Sequence, residues 1–569
     1  MLTAAARSFL ITTSLICFAA LFSACGGSTT HEEEHHHSES SSSSTEPVHS
    51  SSSEAPTNKP DAFIFEDQDD VEPGSEVTSN TLEIEGLDEP AEIEITGGYY
   101  AINSVEDDAF TDQPGTIDVD DELTLRTQAP ANGSQVQEVT VTIAGVQSLW
   151  RVSTPEDTEA PQAAFAFPTP MTATDAETLT LRGTASDELS QIDAVTVTVE
   201  GEGGTEVYTV DSDDGFATWT VEVSLAPGDN QIQLGAEDVL GNADDEIAEI
   251  TLVRQSFDLA FPDNEEPFLD VRDMAFDSEG NRLFVAIRDV SLPEGTGVVV
   301  AVDLKTGERT RFAGGETEGE FLDVRALDSI AMDQKRNRLL LGPSRGELIT
   351  VDLNSGERQV LAAPDLPSVG EPTFRGPEGV LLDPENEDFA YVVSTSDRRL
   401  LHLNLNTGER RIISDDENGE GVGFHLIRSV VIGPENDFAY VNSVVDRPIY
   451  KVNLETGDRI ELDMENYPNP RFDGIFITDM VSAPGRNRFY IADQAENILL
   501  YDIETSSYET VVNFSYNDHF EAAMHYHMSL DEDNQVIMLV DRRTKAVVAV
   551  DLQTQEYVLI SKSVDEDDN

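Results

Sequence analysis

The residues best equipped for chemistry in this chain are its ten histidines and a few short acidic or glycine-bounded motifs. His31, His35, His36 and His37 stand in a run otherwise made of glutamate and serine. Neutral imidazoles at that spacing could ligate zinc, although a solvated polar spacer accounts for the same residues. His425, His519, His525 and His527 fall in or near segments that lead into strands. A zinc or acid–base role for the last three competes with the simpler reading that His525 and His527 alternate along a strand. Asp211-Ser-Asp213-Asp214-Gly215 offers hard oxygens to Ca²⁺, or is a solvated acidic turn. Gly342-Pro343-Ser344-Arg345-Gly346 satisfies the G-x-S-x-G pattern, but a nucleophile elbow needs a strand-to-helix turn and strands flank this one on both sides. No phosphate-cradling glycine loop, His-Glu-x-x-His helix or paired-cysteine metal motif is present.

What positions these residues is constrained first by charge. The 569 residues carry 111 Asp+Glu against 34 Lys+Arg, a formal net charge of -77, with a sequence pI near 4.1. A surface this negative repels phosphate backbones and anionic bilayers, so no nucleic-acid partner is expected, nor electrostatic docking on a membrane. The 39% hydrophobic content excludes disorder along the whole length. The acids are spread through every part of the chain. That even spread suits a solubility strategy in a salt-rich habitat, with a folded state that weakens in low salt.

The N-terminus reads as an address. One basic residue, Arg7, precedes an apolar run from Phe9 to Phe22 that is too short to span a bilayer. Phe22-Ser23-Ala24-Cys25-Gly26-Gly27 resembles a bacterial lipoprotein lipobox, with Phe22 where leucine is usual. The resemblance implies a lipoprotein signal peptide over residues 1–25 that ends at Cys25, the acylated first residue of the mature protein, a membrane partner through that lipid anchor, and localisation at the outer membrane. Cys17 would leave with the signal, so no disulfide is expected in the mature chain. Residues 26–60, rich in Ser, Glu and His, read as a disordered tether.

Beyond the tether the pattern is all-β. In 61–154, alternation at Leu82/Ile84, Ile93/Ile95, Leu123/Leu125 and Val139/Val141/Ile143, with turn signals at Gly97-Gly98 and Asn132-Gly133, predicts a β-sandwich. Asp157-Thr158-Glu159-Ala160-Pro161 reads as a stiff junction and resembles the openings of bacterial Ig-like repeats. In 155–255, Trp219 is the expected core anchor, and Gly241-Asn242 the expected source of positive φ in the final turn. Residues 61–154 resemble the same Ig-like type more loosely.

From 256 to 569 the chain repeats six times. Asp303-Leu-Lys-Thr-Gly307-Glu-Arg309 aligns without gaps with segments starting at Asp352, Asn404, Asn453, Asp502 and Asp551, at intervals of 49, 52, 49, 49 and 49 residues. A period near 50 with only strand patterning inside it predicts a six-bladed β-propeller of four strands per blade. Thr-Gly makes the hairpin between the third and fourth strands. The last two repeats lack the glycine, so less regular turns are expected there. Phe257–Phe261 is a candidate for closing the ring. The fold expected is therefore all-β, two Ig-like β-sandwiches followed by a six-bladed β-propeller.

Tyr440-Val441-Asn442-Ser443, Tyr490-Ile491-Ala492-Asp493 and Gly376-Pro377-Glu378-Gly379 resemble the six-bladed calcium-dependent propellers of the gluconolactonase and senescence-marker type. That family holds a metal on the propeller axis with acidic and amide side chains of the innermost strands. The matching positions here are Arg272, Asp328, Glu378, Arg428, Thr478 and Tyr526, and one residue further in stand Asp273, Ser329, Gly379, Ser429, Asp479 and His527. The resemblance implies Ca²⁺ as the one candidate cofactor, at Glu378, Asp328 and Asp273, of which only Glu378 matches residue for residue. Two arginine–carboxylate pairs in an axial channel of Arg272, Asp328, Glu378, Arg428, Asp479 and His527 are the competing expectation. His425, Asn442, Asp493, His519 and His525 form the candidate ligand face. Connector aromatics, among them Phe268, Phe321, Phe374, Phe424, Tyr467, Phe472 and Phe520, either stack on a ligand or plug the gaps between blades.

Three function classes fit. The leading one is a non-enzymatic surface lipoprotein whose Ig-like stalk presents a propeller that binds a protein, glycan or small molecule. The others are a metal-dependent lactonase or hydrolase, and an envelope scaffold.

Overall fold

The computed structural model describes residues 58–262, 266–289, 296–314, 327–344, 346–363, 375–444, 449–462, 467, 477–493, 497–513 and 526–563. Cys25, nearly all of the tether, His519 and His525 lie outside them, as do Arg345, Phe321, Phe374, Phe472 and Phe520. The chain is nearly all β, and among the described residues the only helices are two single 3₁₀ turns, Asp107–Ala109 and Gln334–Arg336. No helix among them is long and apolar enough to cross a membrane.

Residues 58–154 form two four-stranded sheets. In one, Glu122–Gln128 pairs with Glu76–Thr78, Leu82–Glu83 and Tyr99–Ile102. The other runs in the order Gly115–Ile117, Ala91–Thr96, Val136–Ile143, Val146–Ser153. The two-residue alternation turns Ile93, Leu123, Leu125, Val139, Val141, Ile143 and Trp150 inward, all fully buried in one core. Asn132–Ser134 then binds the next module. Gly133 N–H donates to Leu189 O (2.7 Å), and Gln191 N–H to Asn132 Oδ1 (2.8 Å). The predicted stiff junction is held on the other side too, where Asp157 N–H donates to Ser134 Oγ (2.8 Å) and Ser190 Oγ to the Asp157 carboxylate.

In residues 155–254, Trp219 is buried and meets Phe165 edge-on at 5.7 Å. Gly183 lies under its ring, where a Cβ would collide with the indole and with the Ala164 carbonyl. Only Gly241 takes positive φ (89°) in the final turn. Asn242 works instead through its side chain, donating to Asp238 Oδ2 (2.8 Å).

This module is not a separate spacer. Met171–Thr174 pairs in parallel with Thr251–Arg254 and, through Ala173 and Leu559, with the strand Tyr557–Lys562 near the C-terminus. One nine-stranded sheet thus runs from the module into the last repeat. Arg182 Nε donates to Asp551 Oδ2 at 2.6 Å, with side-chain exposures of 8% and 0%. Arg182 Nη2 reaches Asn534 O (2.7 Å), and Thr180 N–H reaches Glu556 Oε2 (2.7 Å). Phe257–Phe261 lies along the same C-terminal strand, with one bridge from Phe261 to Lys562.

Each sequence period contains one run of four antiparallel strands. Unit one comprises Asp270–Asp277, Arg282–Asp289, Thr296–Asp303 and Arg309–Gly314. The first strands of units two to six are Leu327–Asp333, Pro377–Leu382, Ile427–Ile432, Ile477–Ser482 and Tyr526–Asp531. Each first strand contacts those of the neighbouring units, and unit six contacts unit one, which closes a cycle of six. The repeated turn follows from local chemistry. Asp303 Oδ1 accepts the N–H groups of Lys305 (2.8 Å) and Thr306 (2.9 Å), and Gly307 then takes φ 70°. Units five and six keep that left-handed turn without glycine, at Ser506 (φ 54°) and Gln555 (φ 64°).

The arginine after the turn bolts neighbouring units together. Arg309 donates to Ser561 Oγ of unit six (2.8 Å), and Arg459 of unit four to Ser414 Oγ of unit three (2.6 Å). Their guanidiniums sit 5.2 Å and 5.1 Å above Phe268 and Phe424. Both rings are buried, as is Tyr467, so these three connector aromatics fill gaps between units.

Candidate functional site

The six first strands surround an axial cavity of about 330 Å³. In units one to five, a register shift between the first and second strands falls where the charged residues cluster, at Val271/Asp273, Leu327/Ser329, Pro377/Gly379, Ile427/Val430 and Ile477/Asp479. A bulge carries one unpaired residue and re-aims side chains. The residues inserted here include Arg272, Asp328, Glu378, Arg428 and Thr478. The first strand of unit six pairs with no shift.

Of the two axial pairs expected, one forms as such: Arg428 Nε lies 3.4 Å from Glu378 Oε2. Arg272 does not pair with Asp328. It donates through Nη2 to Asp270 Oδ2 at 2.6 Å, two residues back on its own strand. Arg542 of unit six holds the other Asp270 oxygen at 2.5 Å. Asp328 instead accepts the Ser344 hydroxyl. Burial raises the pKa of Asp328, opposed by Ser344 and by the charges of Arg272, Arg428 and Arg288. Burial also raises Glu378, opposed by Arg428 and reinforced by Asp328.

One residue further along, the side chains staple neighbouring first strands. Asp273 accepts Met274 N–H (2.8 Å) and, in unit two, Ile330 N–H (2.9 Å). Asp479 does the same with Met480 N–H (2.8 Å) and Met528 N–H of unit six (2.9 Å). Ser329 Oγ donates to the Pro377 carbonyl of unit three. Ser429 N–H donates to Asn442 Oδ1 (2.6 Å), and Asn442 Nδ2 to Ile477 O of unit five (3.0 Å). Unit six lies between five and one, so His527 Nδ1 falls 3.4 Å from Asp273 Oδ1 and 3.9 Å from Asp479 Oδ2. Burial pushes the Asp479 pKa up to about 6; His527 opposes the shift and the Asp273 carboxylate adds to it. Along the rest of the cavity the lining is largely apolar, with Met274, Ile330, Val380, Val430, Met480 and Met528 among its residues.

The family's Ca²⁺ set does not fit. Arg272, Arg428 and Thr478 stand at three of its positions, and Ca²⁺ wants six to eight oxygens. Asp273 is grouped with Asp479 and His527, whose ligand atoms all lie within 4.8 Å of one another, not with Asp328 and Glu378. A mixed nitrogen and oxygen set of that kind suits a transition metal better than Ca²⁺.

Of the expected ligand face, His425 is exposed, while Asn442 and Asp493 are buried and bonded internally. Asp493 accepts the Tyr467 hydroxyl at 2.8 Å. In the Asp211–Gly215 turn, Asp214 accepts the hydroxyls of Ser212 (2.8 Å) and Thr218 (2.7 Å). A further acidic group, Asp157, Asp187 and Asp238, lies at the module junction. Burial pushes Asp238 up, but hydrogen bonds from Asn242 and Leu240 outweigh it and hold its pKa below the usual range. The participation of Asp270, Arg288 and Arg542 was not anticipated from the sequence. The available signal was the Asp270-x-Arg272 spacing, since residues two apart share a strand face.

No protein-family model matches the chain, and no curated protein matches it. Among solved structures it is similar to a structural-genomics protein of unknown function from Bacteroides thetaiotaomicron, at 14% identity and a TM-score of 0.38, covering 69% of this chain and 98% of that one. It is also similar to the hydrazine synthase of Kuenenia stuttgartiensis, at 14% identity and a TM-score of 0.34, covering 50% of this chain and 76% of that one.

Proposed function

We propose that the protein is a lipid-anchored surface lipoprotein whose six four-stranded units are the blades of a β-propeller, presented by two Ig-like modules as a non-enzymatic binding device. The observation that carries the binding reading is the axial cavity, closed round by six strands and lined by charge at one end and apolar side chains along the rest. Against catalysis stands the use of its polar groups. The Asp273 and Asp479 oxygens accept backbone N–H groups of adjacent blades, and Arg272 and Arg428 are held by carboxylates. These groups set the ring's geometry.

Methionine methyl resonances test this directly, because Met274, Met332, Met480 and Met528 line the cavity. Compounds that bind should shift these four methyls selectively. Shifts confined to other methionines would refute the axial site. Incorporation of a palmitate analogue, abolished in Cys25→Ser, tests the anchor.

A second reading, a metal-dependent hydrolase of the lactonase type, is favoured only by the Asp273, Asp479 and His527 cluster. Calorimetric titration of the full chain with Zn²⁺ and Ca²⁺ decides it, and no heat at millimolar metal removes it.

A further inference from the structure

We infer that the axial cavity takes a small organic cation, a primary ammonium whose nitrogen is held among Asp273, Asp479 and His527 and whose apolar body lies along the rest of the lining. This rests on the binding reading above and names the ligand class for that site.

The charges that line the cavity are mostly negative. Asp273, Glu378 and Asp479 line it, against Arg428 and His527. Arg428 lies 3.4 Å from Glu378, so that pair offsets itself. The rim arginines do not restore the balance: Arg272 and Arg542 both hold Asp270, and neither they nor Arg288 line the cavity. Asp273 and Asp479 are left with an imidazole between them. Burial and the Asp273 charge both push the Asp479 carboxyl upward, which marks a place where a further positive charge is stabilising. The field of a chain with a net charge of -77 also draws cations to its openings.

Acceptors are in excess as well. His527 is 5% exposed, and its Nδ1 stands 3.4 Å from Asp273 Oδ1 and 3.9 Å from Asp479 Oδ2. Both separations exceed a hydrogen bond, so the buried ring lines the cavity without a hydrogen-bond partner among the described residues. A carboxylate offers about four acceptor sites, and Asp273 and Asp479 each use two on backbone N–H groups. One ligand atom from each of the three residues lies within 4.8 Å of the other two. A single nitrogen can therefore stand about 2.8–3.0 Å from all three and give one N–H to each, with neutral His527 accepting at Nδ1. A metal ion would answer the charge but leave the apolar walls to water. Met274, Val380, Val430, Met480 and Met528 call for a body of carbon attached to the charge.

The probe is cyclohexylammonium, titrated into the full chain at fixed ionic strength. Cyclohexanol serves as its neutral counterpart, tetramethylammonium as a cation without N–H donors, and Zn²⁺ as a metal. Heat is read by calorimetry and the methionine methyls by NMR. The expected result is saturable cyclohexylammonium binding that shifts Met274, Met480 and Met528, with cyclohexanol and tetramethylammonium about ten-fold weaker or more. His527→Leu removes one acceptor and should weaken binding about ten-fold. His527→Lys sets an ammonium of the chain's own beside the two carboxylates and should abolish binding, with circular dichroism checking the fold of both variants. The comparison of ligands on the unmodified protein decides the case even where a variant fails to fold.

Cyclohexylammonium that leaves all three methyls unmoved at about 10 mM overturns the inference, as does binding indifferent to His527→Lys. Zn²⁺ shifting these methyls in its place overturns the organic-cation assignment. Tetramethylammonium binding equally well overturns the hold through three N–H groups. Cyclohexanol binding as well as cyclohexylammonium, with the cavity methyls shifting, overturns the cation inference while the axial binding reading stands.

Discussion

Replacing Arg182 with methionine removes the strongest polar contact between the second module and the last unit. Its guanidinium is 8% exposed and the Asp551 carboxylate is fully buried, 2.6 Å away. Removing one partner of such a pair strands a buried charge and costs about 3–5 kcal/mol. Asp551 would keep Gln553 N–H and Thr554 Oγ1, both at 2.9 Å, which places that loss near the lower end. Loss of the bond to Asn534 O adds about 1 kcal/mol, for a total of about 3–4 kcal/mol. The chain's two tryptophans, Trp150 and Trp219, both lie in the modules, so fluorescence reports residues 58–254 while far-ultraviolet circular dichroism reports every strand. In the unmodified protein the Trp219 transition should coincide with the dichroism change. In Arg182→Met the fluorescence midpoint should fall below it. Arg182→Met combined with Asp551→Asn should recover about 2 kcal/mol, because the second change removes the stranded charge. A cost below about 1 kcal/mol for Arg182→Met, or strict additivity in the double variant, would refute the lock.

Gly183→Ala drives a methyl into the Trp219 ring and should destabilise the second module by about 1–3 kcal/mol, seen first in tryptophan fluorescence. Gln555→Gly relieves a left-handed residue (φ 64°) and should stabilise by up to about 1 kcal/mol, whereas Gly307→Ala should destabilise by at least that much; chemical denaturation reads both. The raised Asp479 carboxyl contributes stability that is complete below its unfolded value and lost as pH rises through about 6. Its side-chain carboxyl carbon should therefore titrate near pH 6, and a midpoint below about 5 would contradict the burial described. The melting temperature should rise between low and molar NaCl, as the mutual repulsion of 111 acids is screened; independence of salt would remove the habitat argument.

What the sequence showed was mostly what short-range chemistry determines. An Asp or Asn followed by Thr-Gly prescribes its own turn, so the repeat of four strands per 49–52 residues was visible without partners. Residues Ile93, Val139 and Val141 were legible as core for the same reason, since alternation alone assigns their side. The axial mouth was legible only as a set of positions. Arg272, Asp328, Glu378 and Arg428 converge there, but which acid each arginine takes depends on strand register and on Arg542 from another unit. The Arg182–Asp551 lock joins residues 369 apart in sequence and had no local signature. Asn442 and Asp493, expected on a ligand face, are buried and hydrogen-bonded inside the ring, since a polar residue on a strand can equally be spent tying one unit to the next.

The joint between module and last unit also has a mechanical character. Across it the backbone ladder amounts to one pair, Ala173 with Leu559, whereas Met171–Thr174 is zipped over four positions to its own module. A pull on the chain from residue 58 therefore meets few hydrogen bonds among the described residues at the joint, beside the apolar core that module and last unit share, and the short-range contacts of both are expected to let go within a short stretch. Such a joint is stiff at low load and brittle at high load. It acts as a fuse, parting before any four-stranded unit unravels and leaving the closed ring of six intact.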